Sequence, residues 1–250
     1  MFRGEQSTGR VMDRRPDFTR IRAALAASVH FRSLAAQDLD SIAALGRVRA
    51  LRDGEVAVRA GDRQEGLWIV MEGCLRLSSV TSRGSEFVYA MLGPGSYFGL
   101  GSMLRNKGTL TDVHAAGATA VAVLDYGKLL ALLDERPRLW RHVAALLNTR
   151  LNIAMMILRD ISVVPLRQRV VHRLLGQAMS SGGDVTGTAP VSMRLTQADL
   201  GRMLGTSRSR VNGVLKTLER DGLLEVGYRT IALRDVAGLH KLAGAEVFSF

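Results

Sequence analysis

Cysteine is almost absent from this 250-residue chain, which holds only Cys74. One thiol cannot close a disulfide within the chain, nor can it build an all-cysteine zinc or iron–sulfur site. That poverty fits a reducing compartment, and a cytoplasmic location is the expectation. An uninterrupted apolar core is missing near the start, where Arg3, Arg10, Arg14, Arg15, Arg20 and Arg22 intervene, so no secretory signal is read there. The most membrane-like stretch, Leu139 to Val164, is broken by Arg141, Arg150 and Arg159. Each would cost roughly 2.5–3.5 kcal/mol inside a bilayer, and no membrane partner is expected. Enzyme signatures are lacking too: the chain carries no nucleophile elbow, phosphate loop, paired carboxylates or metal-ligand cluster, and no metal is expected. His30, His114, His142, His172 and His240 form no local ligand motif. Acids are in deficit, 23 Asp and Glu against 34 Lys and Arg, for a formal charge of +11. Such a balance favours a polyanionic partner.

What is present is organised around residues 195–221. Thr196 is a good N-cap, Leu200, Met203 and Leu204 share one helical face, and Gly205 stops the helix. Thr206 or Ser207 then caps a second helix with Val211, Val214, Leu215 and Leu218 as its buried stripe. Arg208 and Arg210 occupy its first turn, where the helix dipole prefers acids. The compensating negative charge is then expected from outside the chain, and DNA phosphates and guanine edges supply it. Two strands, Gly222–Val226 and Thr230–Leu233, follow around a turn at Gly227, Tyr228 and Arg229. A wing in that position brings Arg229 near a phosphate. The competing reading of the helix pair is a helical hairpin with a solvated arginine-rich face.

The preceding chain divides by pattern. Residues 1–20 read as a flexible basic arm containing Pro16, followed by small helices at Ile21–Val29 and Gln37–Leu45, the second opened by Ser33 and Asp38. From Val48 to Asp125, short β-rich runs are punctuated by glycines, which predicts an antiparallel roll. Its clearest strands are Leu67–Met71, Cys74–Ser78, Glu86–Leu92 and Ala120–Leu124. A connector, Tyr126–Glu135, leads to a long helix over about Arg136–Ile161. Along it Trp140, Ala144, Leu147, Leu151, Ala154, Leu158 and Ile161 alternate at spacings of four and three, a coiled-coil seam. Val143, Leu146, Ile153 and Ile157 form a second stripe; two stripes need two partners, and a parallel homodimer is the expectation. A further helix, Leu166–Met179, a polar loop, Ser180–Pro190, and a short strand, Val191–Leu195, precede the helix pair. The expected fold class is α+β: arm 1–20, β-roll 21–135, dimerisation helix 136–162, winged helix-turn-helix 163–235 and tail 236–250.

Together these parts resemble the Crp/Fnr family of the cyclic-AMP receptor protein and the fumarate-nitrate reductase regulator. The likeness covers about residues 21–235 and is most specific over Gly54–Leu77 and Leu195–Leu224. It implies a bacterial transcription regulator, a homodimer whose two reader helices meet a palindromic site in double-stranded DNA, half-sites about 34 Å apart, with RNA polymerase as a further partner. By the same resemblance Arg208 sits where many members read guanine; the next acidic position is Ser209 and a later arginine position is Gly213. Arg208, Ser209 and Arg210 are then base-reading candidates, with Arg210 alternatively on phosphate, and Thr196, Gln197, Ser207 and Lys216 phosphate contacts. The ligand cassette departs from the family pattern. Its Glu position holds Leu100, the segment Gly108–Asp112 brings no cation, and the base-touching Thr-Ser pair is Ala154-Met155. An unpaired buried phosphate is costly, so ordinary cyclic-AMP control is not expected and no cofactor is assigned. A non-standard pocket would draw on Gly99, Leu100, Gly101, Ser102, Thr109, Leu110, Thr111, Ala154 and Met155. A cyclic nucleotide or other small ligand in that pocket, and control by abundance alone, both stay open. Cys74, in a roll strand, reads as an inert buried thiol rather than a redox switch.

Overall fold

The computed structural model describes residues 15–244, apart from positions 106, 181, 182, 184 and 186–188. Most of the expected basic arm and part of the polar loop therefore lie outside the described residues. Helix α1 (Arg15–Ala27) starts before the Ile21 that spacing had indicated, so residues 15–20 are helical rather than arm. The reason is Pro16, which suits a first helical turn because its missing N–H has no intrahelical acceptor there. Asp17 in that turn accepts from Val48 N at 3.0 Å and fastens the helix to the roll. Helix α2 (Ala36–Ala43) has Ala35 at its N-cap with no side-chain bond. Asp38 does not cap it; the carboxylate is buried and its Oδ1 accepts from Arg136 Nη1 at 2.9 Å and Arg138 Nη2 at 2.7 Å.

The roll comprises β1 (Gly46–Leu51), β2 (Val56–Val58), β3 (Gly66–Glu72), β4 (Leu75–Val80), β5 (Glu86–Leu92), β6 (Tyr97–Phe98), α3 (Leu100–Arg105), β7 (Asp112–Ala115) and β8 (Thr119–Asp125). Two four-stranded antiparallel sheets result, ordered β1-β8-β3-β6 and β2-β7-β4-β5. Inward side chains such as Val70, Leu75, Leu77, Val113 and Val121 form the core between them, as period-two alternation requires. Gly73, at φ +81°, turns β3 into β4 where a Cβ would lie 2.3 Å from the Ala118 carbonyl, so only glycine fits.

Helix α4 (Tyr126–Glu135) is capped by Asp125, and α5 (Arg138–Val163) follows Pro137 at its N-cap. The inner face of α5 puts Leu139, Val143 and Leu146 into a core with Ile21, Leu25 and Leu129. Asp38 thus ties α2 to the start of the long helix. Asp38→Ala leaves two arginines without their acceptor and is expected to lower stability by about 1.5–3 kcal/mol, measured as a shift in the urea midpoint at constant slope.

After Pro165, α6 (Leu166–Ser180) leads to β9 (Val191–Arg194), α7 (Gln197–Leu204), α8 (Arg208–Arg220), β10 (Leu224–Gly227), β11 (Thr230–Leu233) and α9 (Val236–Ala243). The strands form one sheet, β10-β11-β9. Leu174, Leu175, Leu200, Leu215, Leu218 and Ile231 are fully buried beneath the helices. Residues 236–250 do not begin as a tail. Asp235 caps α9, Leu239 is fully buried, and the Ala243 carbonyl lies 2.8 Å from His172 Nε2 on α6. Its eight residues were too few to show a helical period in the sequence.

Candidate nucleic-acid interface

The two helices that carry the basic residues are fixed by their caps. Thr196 Oγ1 accepts from Asp199 N at 3.0 Å, Gly205 closes α7 in the left-handed region at φ +62°, and Ser207 rather than Thr206 caps α8. Val211, Leu215 and Leu218 anchor α8, which leaves Arg208, Ser209, Arg210 and Lys216 exposed on its outer side. No acidic side chain among the described residues pairs with Arg208, Arg210 or Lys216. Glu219 Oε1 accepts from Val226 N at 2.8 Å and locks the wing to the helix. The hairpin turns through Tyr228 and Arg229 between the paired Gly227 and Thr230, and Arg229 adopts φ +57°. Strand β10 starts at Leu224 rather than Gly222, because Gly222 at φ +75° is used to leave α8.

Tyr228, 90% exposed at the wing tip, was named in the turn but given no role by sequence reasoning. Its signal is the large aromatic itself, at a tip where small polar residues are usual.

Thr196 and Arg229 face a crevice of about 410 Å³ shared with the roll residues Asp53, Arg76 and Glu86. Across it runs an ion-pair network. Arg76 contacts Glu86 at 2.5 Å and Asp199 at 3.0 Å, while Arg202 contacts Glu86 at 3.1 Å. Arg76 holds the Glu86 carboxyl below the ordinary carboxylate range, so the network is charged at neutral pH. Gln197 is half-buried nearby. Nothing in the sequence pattern singles these four residues out, since the network joins Arg76 to Asp199 across 123 positions.

The residues of the altered cassette separate. The carbonyl of Gly99, a residue at φ +105°, accepts from the Tyr126 hydroxyl at 2.7 Å, and Leu100 is buried in the apolar cluster under α1 and α4. Ser102 and Thr109 are buried, Gly101 is exposed and Thr111 is half-buried. Leu110, in the segment where the resemblance expects an arginine, is 72% exposed, and Asp112 Oδ1 accepts from Ala60 N at 2.9 Å. On α5 Ala154 borders a cleft against β5, whereas Met155 is 58% exposed. Cys74 is buried, and burial pushes its thiol up to about 12, which keeps it protonated and unreactive.

Along α5 the seam residues divide. Trp140 and Leu147 rest half-buried on the core. Leu151 (59%), Leu158 (62%) and Ile161 (59%) are exposed, as are Ala144 and Ala154. A row of large apolar side chains more than half exposed is unusual on a soluble surface.

Burial beside the Arg150 cation and His142 pulls His30 down to about 4. The unfolded chain then takes up a proton below about pH 6.5 that the native state refuses until about pH 4. Stability contributed by neutral His30 is full above that window and falls as pH drops through it. A urea midpoint measured between these limits is expected to fall less steeply for His30→Gln than for the unaltered chain.

A β-roll joined by a long helix to a winged helix-turn-helix with an arginine-tipped second helix defines a DNA-binding transcription regulator. Comparison with known proteins agrees. The model of the cyclic nucleotide-binding domain matches residues 48–136, and that of the Crp-like helix-turn-helix domain matches residues 168–242. A cyclic AMP receptor protein of Thermus thermophilus is 30% identical over 213 residues, 85% of this chain and 95% of that one. The HTH-type transcriptional regulator Cmr of Mycobacterium tuberculosis is 29% identical over 206 residues, 82% and 80% of the two chains. The structure of FixK2 from Bradyrhizobium japonicum superposes with a TM-score of 0.67 at 22% identity, covering 79% of this chain and 96% of that one. The chain belongs to the Crp/Fnr family of bacterial transcription regulators.

Proposed function

We propose that the protein is a homodimer that binds a palindromic DNA site, with two copies joined along α5. The observation that carries this reading is the pairing of Arg208, Ser209 and Arg210, exposed and free of acidic partners among the described residues, with the exposed row Leu151, Leu158 and Ile161. Arg208 and Ser209 read base edges, Arg210 takes a base or a phosphate, and Thr196, Gln197, Ser207, Lys216 and Arg229 take phosphates. Tyr228 joins Arg229 on the backbone at the wing tip. The work is regulatory rather than enzymatic, is done in the cytoplasm and is directed at RNA polymerase. Selection of bound duplexes from a random pool tests it: an inverted repeat is expected, and recovery of no preferred sequence overturns it.

Ordinary cyclic-AMP control does not fit the cassette. With Leu100 buried in apolar contacts and no Lys or Arg in the segment Gly108–Asp112, the cassette offers neither a ribose acceptor at that position nor a cation for the cyclic phosphate. Titration with cyclic AMP is expected to show no binding below millimolar concentration.

The docked arrangement restrains DNA binding, because Thr196 and Arg229 face the roll rather than open solvent. Glu86→Ala removes the acceptor shared by Arg76 and Arg202. Amide exchange in β5 and α7 is expected to quicken and DNA affinity to rise roughly three- to tenfold. Unchanged exchange with unchanged affinity contradicts the restraint.

A further inference from the structure

The long helix and the DNA-binding domain are joined by a short bend: α5 ends at Val163 and α6 begins at Leu166, with Val164 and Pro165 between. Proline stops the helical ladder there but does not by itself fix the angle at which the two helices meet. A buried pair of side chains spans the bend. Asp160 in the last turn of α5 and His172 in the second turn of α6 are both buried, and His172 Nδ1 lies 2.5 Å from Asp160 Oδ2. The other ring nitrogen, Nε2, lies 2.8 Å from the Ala243 carbonyl at the end of α9. A carboxylate and a carbonyl only accept, so both contacts are hydrogen bonds at once when the ring carries its two protons. Asp160 Oδ1 accepts in addition from Arg159 Nη2 at 3.1 Å. The bond across the bend is then charge-assisted, the strongest and most directional kind.

His172 stands one turn beyond Arg169 on the same side of α6. Arg169 Nη2 donates to the Leu204 carbonyl at 2.8 Å, so one side of α6 holds the C-terminal ends of both α7 and α9. Gly205 then turns the chain from α7 towards α8. A continuous set of bonds thereby runs from α5 through α6 to the helix pair that carries Arg208. Opening the buried pair strands a carboxylate and an imidazole without their partners, which makes other angles between α5 and α6 costly while the pair is intact.

We propose that Asp160 and His172 are positioning residues that set the angle between α5 and the DNA-binding domain, and through it the half-site spacing that the protein accepts. The inference rests on the homodimer reading and deepens it, because two reader helices held at a fixed angle to one shared rod reach a single separation. One base pair more or less moves a half-site by about 3.4 Å and turns it by roughly 35° around the duplex, more than a rigid pair can follow.

Mobility shift of the full chain provides the test, on duplexes with one half-site or with two inverted half-sites at the selected spacing and at one and two base pairs either side of it. The unaltered chain is expected to favour one spacing by at least about tenfold. Asp160→Asn and His172→Gln should each cut that preference to about threefold or less while affinity for the single half-site stays within about twofold, a pattern that loss of stability alone does not produce. Asp160→Glu, with the charge on a longer arm, should keep its hold on the single half-site and move or broaden the preferred spacing. Arg167→Gln removes an ion pair to Asp221 inside the DNA-binding domain, away from the bend, and should leave the preference unaltered. Circular dichroism melts check each fold, and where the Asn and Gln variants do not fold, Asp160→Glu decides in the same way. A spacing preference unchanged in every folded variant of the pair overturns the proposal, as does a loss on the single half-site equal to the loss on the paired one. No gain from a second half-site in the unaltered chain overturns the homodimer reading itself, and the proposal with it.

Discussion

Leu151→Asp combined with Leu158→Asp is expected to yield a folded monomer whose affinity for a two-half-site duplex is lower by roughly 10²–10⁴-fold. Both side chains are about 60% exposed on α5, in line with Ile161, and so contribute little to the core of their own chain. Burying a leucine stabilises by about 1.5–3 kcal/mol, so a seam repeated on both copies supplies several such increments. Carboxylates placed along a parallel seam face like charges from the partner copy, which adds repulsion to the lost burial. Once the copies separate, each reader helix binds its half-site alone, without the effective concentration that tethering provides. Light scattering gives the mass, mobility shift gives the affinity, and an unchanged melting profile confirms the fold. A dimer that survives the double substitution contradicts the role of this face.

The second large effect is expected from Arg208→Ala, at about 1–3 kcal/mol for each half-site on the cognate sequence, with much less change on random DNA. Arg208 lies in the first turn of α8, exposed, and makes no ion pair within the described residues. Its removal therefore leaves the fold intact while taking away a forked donor pair suited to guanine O6 and N7. Arg210, two positions further and also exposed, offers the contrast. If it meets phosphate, Arg210→Ala weakens all sequences alike and lowers the slope of log affinity on log salt by about 1 for each contact. Equal losses on cognate and random DNA for Arg208→Ala contradict its role as a base reader. Substituting Ser209 in parallel tests whether specificity extends along the first turn.

Much of this architecture was legible because the deciding interactions are local. Thr196, Gly205 and Ser207 mark helix ends through bonds spanning three or four residues, and the stripe Val211, Leu215 and Leu218 follows directly from helical period. Glycines at forced turns, such as Gly73, announce the roll for the same reason. What escaped is long-range or short-period. Pro16 suits a mobile arm and the first turn of α1 equally well, and α9 is too short to declare itself. The Arg76, Glu86, Asp199 and Arg202 network depends on how one domain seats on the other, which no spacing encodes. Arg150 and Arg173 did leave a trace: each interrupts an inward helical stripe, Arg150 between Leu146 and Ile153, Arg173 between Val170 and Gln177. A charge on a buried face asks for a counter-charge, and among the described residues no Asp or Glu lines the cleft between β5 and α5 where both arginines stand.

The number of chains bound to a selected duplex, together with the symmetry of its sequence, tests the central claim most directly. Native mass spectrometry of the complex is expected to count two chains on one duplex carrying inverted half-sites, their centres about 34 Å apart along one face. One chain per duplex, or a preferred site without inverted symmetry, contradicts the pairing of reader helices across α5.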